Sequence, residues 1–82
     1  MSWADETSDD VPGMKKLVGV LSEKMISYIR GWAKRMKIYE IRGVEVGGDL
    51  IRERVKISYY NKYKWANTAM FTATSDGEVI QI

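Results

Sequence analysis

Arg52, Arg54 and Lys56 stand two residues apart. At that spacing a β-strand sends all three side chains to one face, because successive side chains alternate sides. A ladder of cations suits an anion, above all a phosphate chain. A few residues on, the run Tyr59-Tyr60-Asn61-Lys62-Tyr63-Lys64-Trp65 interleaves rings and bases. Rings stack on unpaired nucleobases while ammonium groups neutralise phosphates, so such a run suits single-stranded nucleic acid. Tyr60, Lys62, Tyr63 and Lys64 are expected at the surface; Tyr59 and Trp65 are expected in the core. The candidate nucleic-acid-binding residues are therefore Arg52, Arg54, Lys56, Tyr60, Lys62, Tyr63 and Lys64. The plainer alternative is a solvated surface, because a sheet covered on one face shows a polar outer face whatever its role.

Other chemistry lacks its residues. The chain has no histidine and no cysteine, which removes disulfides, Cys/His zinc sites, thiol nucleophiles and imidazole acid–base work. Asp5, Glu6, Asp9 and Asp10 cluster without the spacing of a calcium loop. Gly47-Gly48 precedes no helix and so makes no phosphate cradle of the dinucleotide type. Lysine- or tyrosine-dependent catalysis is the remaining enzymatic route, and a chain of 82 residues leaves little room for a deep pocket. No catalytic residue, metal or cofactor is expected, and the reading is of a non-enzymatic binding module.

Eighty-two residues make one small domain. Hydrophobic residues are 45% and charged residues 29% of the chain, the balance of an ordinary globular protein. Apolar runs stay far below the roughly 20 residues of a membrane span, and the start does not read as a signal peptide. No membrane partner is expected, and the expected location is intracellular and cytoplasmic. The net charge of +2 hides an uneven spread. All 13 Lys and Arg lie between Lys15 and Lys64, while the first twelve residues carry four acids and no base. A basic body behind an acidic arm points to an anionic partner.

The elements that must position these residues follow from periodicity. Residues 1–12 are polar, acidic and aperiodic, and read as a flexible arm carrying a lone Trp3; residues 13–82 form the domain. From Met14 to Met36 apolar residues recur at steps of three and four (Met14, Val18, Leu21, Met25, Tyr28, Trp32, Met36), one face of a helix. After Ile38 the period falls to two. Strands are expected over 38–46, 50–60, 64–74 and 78–82. Gly47-Gly48, Asn61–Tyr63 and Asp76-Gly77 are expected as the turns. The fold class is α+β: one N-terminal amphipathic helix packed on a four-stranded antiparallel β-meander.

Facing pairs fix which side chains share the covered face. A two-residue turn at Gly47-Gly48 sets Val44 against Ile51, and a bulge at Arg42-Gly43 keeps Ile41 and Tyr39 on the same side. A three-residue turn at Asn61–Tyr63 pairs Tyr59 with Trp65. The Asp76-Gly77 turn pairs Ala73 with Ile80 and Phe71 with Ile82. The expected core face is then Tyr39, Ile41, Val44, Val46, Ile51, Val55, Ile57, Tyr59, Trp65, Ala69, Phe71, Ala73, Ile80 and Ile82, with Glu53 and Asn67 as polar intruders. The other face carries the cation ladder with Ser58, Tyr60, Lys64, Ala66, Thr68, Met70, Thr72, Thr74, Val79 and Gln81.

Two partner classes remain open. In one, the basic, aromatic-bearing face binds nucleic acid. It resembles the sheet of RRM-type domains in that respect, while this chain has neither their second helix nor their RNP strings. In the other, the last strand offers an unpaired edge to a protein partner or to a second copy, giving a homodimer or an inhibitor module. The Met-rich helix stripe is a third possible contact surface. The acids of the arm could also fold over Arg52, Arg54 and Lys56 and mask them.

Overall fold

The computed structural model describes residues 10–48 and 52–82. A short 3-10 turn, Met14–Leu17, leads into helix α1, Glu23–Met36. Four strands follow: β1 Glu40–Gly48, β2 Glu53–Tyr60, β3 Ala66–Ala73 and β4 Val79–Gln81. They form one antiparallel sheet in the order β1-β2-β3-β4. The helix packs on one face of this meander, as the change of period predicts. No helix among the described residues is long and apolar enough to cross a membrane.

The single helix expected over 14–36 is two pieces. At Gly19 the backbone is left-handed, with φ +80°, and an α-helix cannot pass through that conformation. The chain restarts at Ser22, whose Oγ accepts from the Met25 N–H at 3.2 Å. Ser22 in turn donates its N–H and its hydroxyl to the Glu53 carboxylate, each at 2.7 Å. In a capping box a glutamate three residues into the helix reaches back to the cap. Here β2 supplies that carboxylate from across the domain, so Glu53, an intruder on paper, ties the sheet to the helix start. Two residues of the expected stripe are exposed: Val18, beside the break, and Met36, in the last turn of α1.

The core lies between α1, the 3-10 turn and the inner sheet face. Met14, Leu17, Met25, Ile29, Ile41, Val55, Ile57 and Phe71 are fully buried. Trp32 stands edge-on to Tyr59 and Phe71, with ring centroids 5.1 and 5.0 Å apart. Each such large side chain contributes roughly 1.5–3 kcal/mol by leaving water.

Three registers set the faces. The bulge falls between Ile41 and Gly43, where it is expected. Val46 pairs with Val55 and Gly48 with Glu53, so β1 runs through both glycines and the connection to β2 is longer than a two-residue turn. Ile51 lies outside the described residues. Between β2 and β3, Tyr59 pairs with Asn67 rather than Trp65. That shift is two residues and leaves every face unchanged, but it moves the three-residue turn one residue along the chain and puts Trp65 at its flank. Between β3 and β4, Ala73 pairs with Val79 and Thr72 with Ile80. That shift is one residue and exchanges the faces of the last strand. Val79 packs against the core, while Ile80 and Ile82 are exposed. Tyr39, Val46 and Trp65, also expected in the core, are exposed.

Both of these hairpins close with three-residue loops. Asn61 flanks Lys62–Lys64: its N–H donates to the Trp65 carbonyl at 2.9 Å, and its carbonyl accepts from Lys64 at 2.7 Å. Thr74 flanks Ser75–Gly77 in the same way, donating to the Glu78 carbonyl at 2.7 Å and accepting from Gly77 at 2.9 Å. The third loop residue is left-handed in each, with φ +67° at Lys64 and +86° at Gly77. Such a loop commonly places glycine there.

The chain ahead of the helix is held against the domain from residue 10. Asp10 receives a bidentate pair from Arg30, at 2.7 and 3.1 Å, and Val11 packs on the core. The Ile41 N–H donates to the Pro12 carbonyl at 2.8 Å. A Cβ on Gly13, at φ +92°, would overlap the Ile41 carbonyl oxygen, so only glycine allows this approach. The rest of the expected arm, residues 1–9, lies outside the described residues.

Candidate nucleic-acid interface

Strand β2 is central in the sheet, and alternation sends Arg54, Lys56, Ser58 and Tyr60 to the face that α1 does not cover. Their steps are about 6.7 Å per two residues. Arg54 and Lys56 are exposed. Their neighbours across the ladders are Gly47 and Glu45 on β1, and Thr72 and Met70 on β3. Arg52 precedes β2 and is exposed.

Acids temper this ladder. Lys56 Nζ lies 4.0 Å from Glu45 Oε1, and Arg42 donates to Glu40 Oε2 at 3.3 Å. These are exposed pairs, worth at most about 1 kcal/mol each. The thirteen cations of the sequence are also divided between two sides. Lys15, Lys16, Lys24, Arg30, Lys34, Arg35 and Lys37 belong to the 3-10 turn and helix region, and the other six follow it in the sheet and its connections. The asymmetry along the chain is therefore milder on the surface.

Beyond Tyr60 the uncovered face grades into the β2–β3 loop. The Arg42 guanidinium sits 5.3 Å from the centre of the Tyr60 ring. Beside it lies a depression of about 560 Å³ lined by Arg42, Ser58, Tyr60, Asn67 and Thr68, among others. Lys62 Nζ lies 5.4 Å from the Tyr63 ring centre, and Lys64 Nζ lies 5.0 Å from that of Tyr39. Tyr63 and Trp65 are 66% and 70% exposed, with ring centroids 6.4 Å apart.

Asn61 organises this loop. Its Oδ1 accepts from the N–H groups of Tyr63 at 2.8 Å and of Trp65 at 3.1 Å. The Trp65 carbonyl accepts from Asn61 N–H and from Asn67 Nδ2. An asparagine that satisfies two later N–H groups fixes a turn without help from the core. The left-handed backbone at Lys64 carries a penalty of roughly 1–2 kcal/mol for a residue with a Cβ.

Of the seven residues expected in the site, Arg54, Lys56 and Tyr60 share the uncovered face, and Lys62, Tyr63 and Lys64 share the loop at its end. Arg52 stands before the strand, at the opposite end of β2 from that loop. Sequence reasoning passed over Trp65, Arg42 and Asn61. The interleaved run does contain Trp65, and an asparagine opening a turn is a known signal; the assumed register hid both. Arg42 sits at the bulge, where alternation gives no face.

Comparison with protein-family models, with curated proteins and with solved structures finds no match in any of the three. What the fold and surface define is a small α+β domain with one face of its sheet uncovered by any described element.

Proposed function

We propose that this protein is a non-catalytic binding module that takes nucleic acid on the uncovered sheet face. The observation that carries the reading is the position of Arg54 and Lys56 on a central strand, both exposed among the described residues. From there the surface runs through Ser58 and Thr68 hydroxyls to the Arg42–Tyr60 pair. Cations along a strand meet phosphates, hydroxyls donate to them, and the ring end accepts a base.

The test is fluorescence anisotropy with labelled DNA and RNA, single and double stranded, at about 50 and 200 mM salt. Binding through phosphates weakens steeply over that range, and Arg54→Glu together with Lys56→Glu abolishes it. Absence of binding at the lower salt would sink the reading.

A second reading has its own observation. Met70, Ile80 and Ile82 are exposed, and the pairing puts Ile80 beside Thr72 on the uncovered face. Apolar side chains beside a free edge strand favour a protein partner or a second copy. That association would be insensitive to salt and blocked by Val79→Pro.

A further inference from the structure

We propose that the Lys62–Lys64 loop and Trp65 form a stacking site for unpaired bases, with the Trp65 indole as the platform. The inference rests on the nucleic-acid reading above and narrows it to single strands.

Three observations converge on this loop. The first is exposure: Trp65 is the most exposed of the large hydrophobic side chains described, although it adjoins β3, whose Ala69 and Phe71 are buried. A ring left in water beside two lysines is matched to a flat, anionic ligand. The second is order. Asn61 Oδ1 holds the backbone N–H of both ring-bearing residues, so the loop presents them without ordering on binding. The third is the left-handed lysine. The Lys64 ammonium stands over Tyr39 and that of Lys62 over Tyr63, which holds two cations at the loop. A strained residue held by its surroundings is a sign of function.

The geometry also states how a base would bind. The Tyr63 and Trp65 rings are tilted by 53°, so a base cannot lie flat against both. One base stacks on the open face of Trp65, with its flanking phosphates towards Lys62 and Lys64. A base inside a duplex has both faces covered by its neighbours and offers none to the indole.

The experiment compares a labelled oligothymidylate with a labelled duplex of equal length on the full chain. The single strand should bind more tightly and should quench tryptophan emission in a Trp3→Phe background, since Trp32 is buried. Trp65→Ala should weaken single-strand binding by about 5- to 150-fold. The salt dependence should not change, because it counts phosphates rather than stacked rings. Trp65→Phe should keep much of the affinity. Circular dichroism of each variant should match that of the parent, as the side chain lies outside the core.

If Trp65→Ala binds as tightly as the parent, the stacking site is wrong while the sheet-face reading stands. Equal affinity for the duplex overturns it in the same way. If Trp65→Leu binds as well as tryptophan, the tip is an apolar docking point of the kind a protein uses, and the inference fails. If neither nucleic acid binds the parent, both proposals fall together.

Discussion

The two hairpin loops Lys62–Lys64 and Ser75–Gly77 share a backbone and differ in chemistry. Each is flanked by a polar residue, Asn61 or Thr74, that makes the same pair of main-chain bonds. Each flanking side chain also accepts the N–H four residues on, that of Trp65 or of Glu78. One loop then follows the ordinary rule and puts glycine at its left-handed position. The other puts a lysine there, flanked by a tyrosine and a tryptophan. Since the fold needs only the backbone, what the first loop adds is a surface. Ser75–Gly77 shows what closing this hairpin requires, and Lys62–Lys64 shows what has been placed on top of it.

Exchanging the loops is the strongest way to break that comparison. Lys62→Ser, Tyr63→Asp and Lys64→Gly together should leave the domain folded. Single-strand binding should fall by about 100-fold or more, through two lost phosphate contacts, one lost ring and one added acid. The slope of log affinity against log salt should shrink by about 1.4, at about 0.7 per phosphate contact on a single strand. A smaller slope change would mean that one lysine does not touch the strand.

Asn61→Ala comes next. It strips two backbone N–H groups of their acceptor, and urea unfolding should show a loss of about 1–2 kcal/mol. Affinity should fall as well, because the rings lose their fixed presentation. Gly77→Ala should lower stability by about 1 kcal/mol, as left-handed strain outweighs the entropy lost from the unfolded chain. The space itself is open, with the Lys24 Nζ 3.8 Å from a new Cβ. Lys64→Gly should move stability least, by under about 1 kcal/mol. Strain relief is offset by glycine's greater freedom when unfolded and by the lost contact with Tyr39. Its effect should appear in binding instead. A large gain in stability would show that the Tyr39 contact contributes little.

The fold class was legible because a switch from steps of three and four to steps of two marks helix and sheet at any register. The bulge at Arg42-Gly43 was legible too, since an interior glycine was needed to keep Ile41 inside, and Ile41 is fully buried. The placing of the turns was not. It is set by bonds from Asn61 and Thr74 side chains to the backbone, which hydrophobic pattern does not report. The consequence depends on parity. A two-residue error between β2 and β3 preserved every face and misplaced only Trp65. A one-residue error between β3 and β4 turned Ile80 and Ile82 outward and Val79 inward. The expected helix failed at Gly19 for a similar reason: the stripe from Met14 to Met36 is continuous, but Ser22 and Glu53, thirty-one residues apart, decide where the helix begins. The candidate residues on β2 were legible from alternation alone.

The Pro12 carbonyl bonded to Ile41, with Gly13 pressed on the same strand, has a consequence for stoichiometry. An added strand would collide there with main chain that is already in place. The sheet is thus stoppered at the Ile41 end of β1, while no described strand pairs with the outer edge of β4. Copies that can join on one side only meet in pairs and stop, because a pair sharing its open sides leaves none for a third. At the Ile41 end of β1 a further strand is turned away by main chain already bonded there, which works against growth of the sheet on both sides into a fibre.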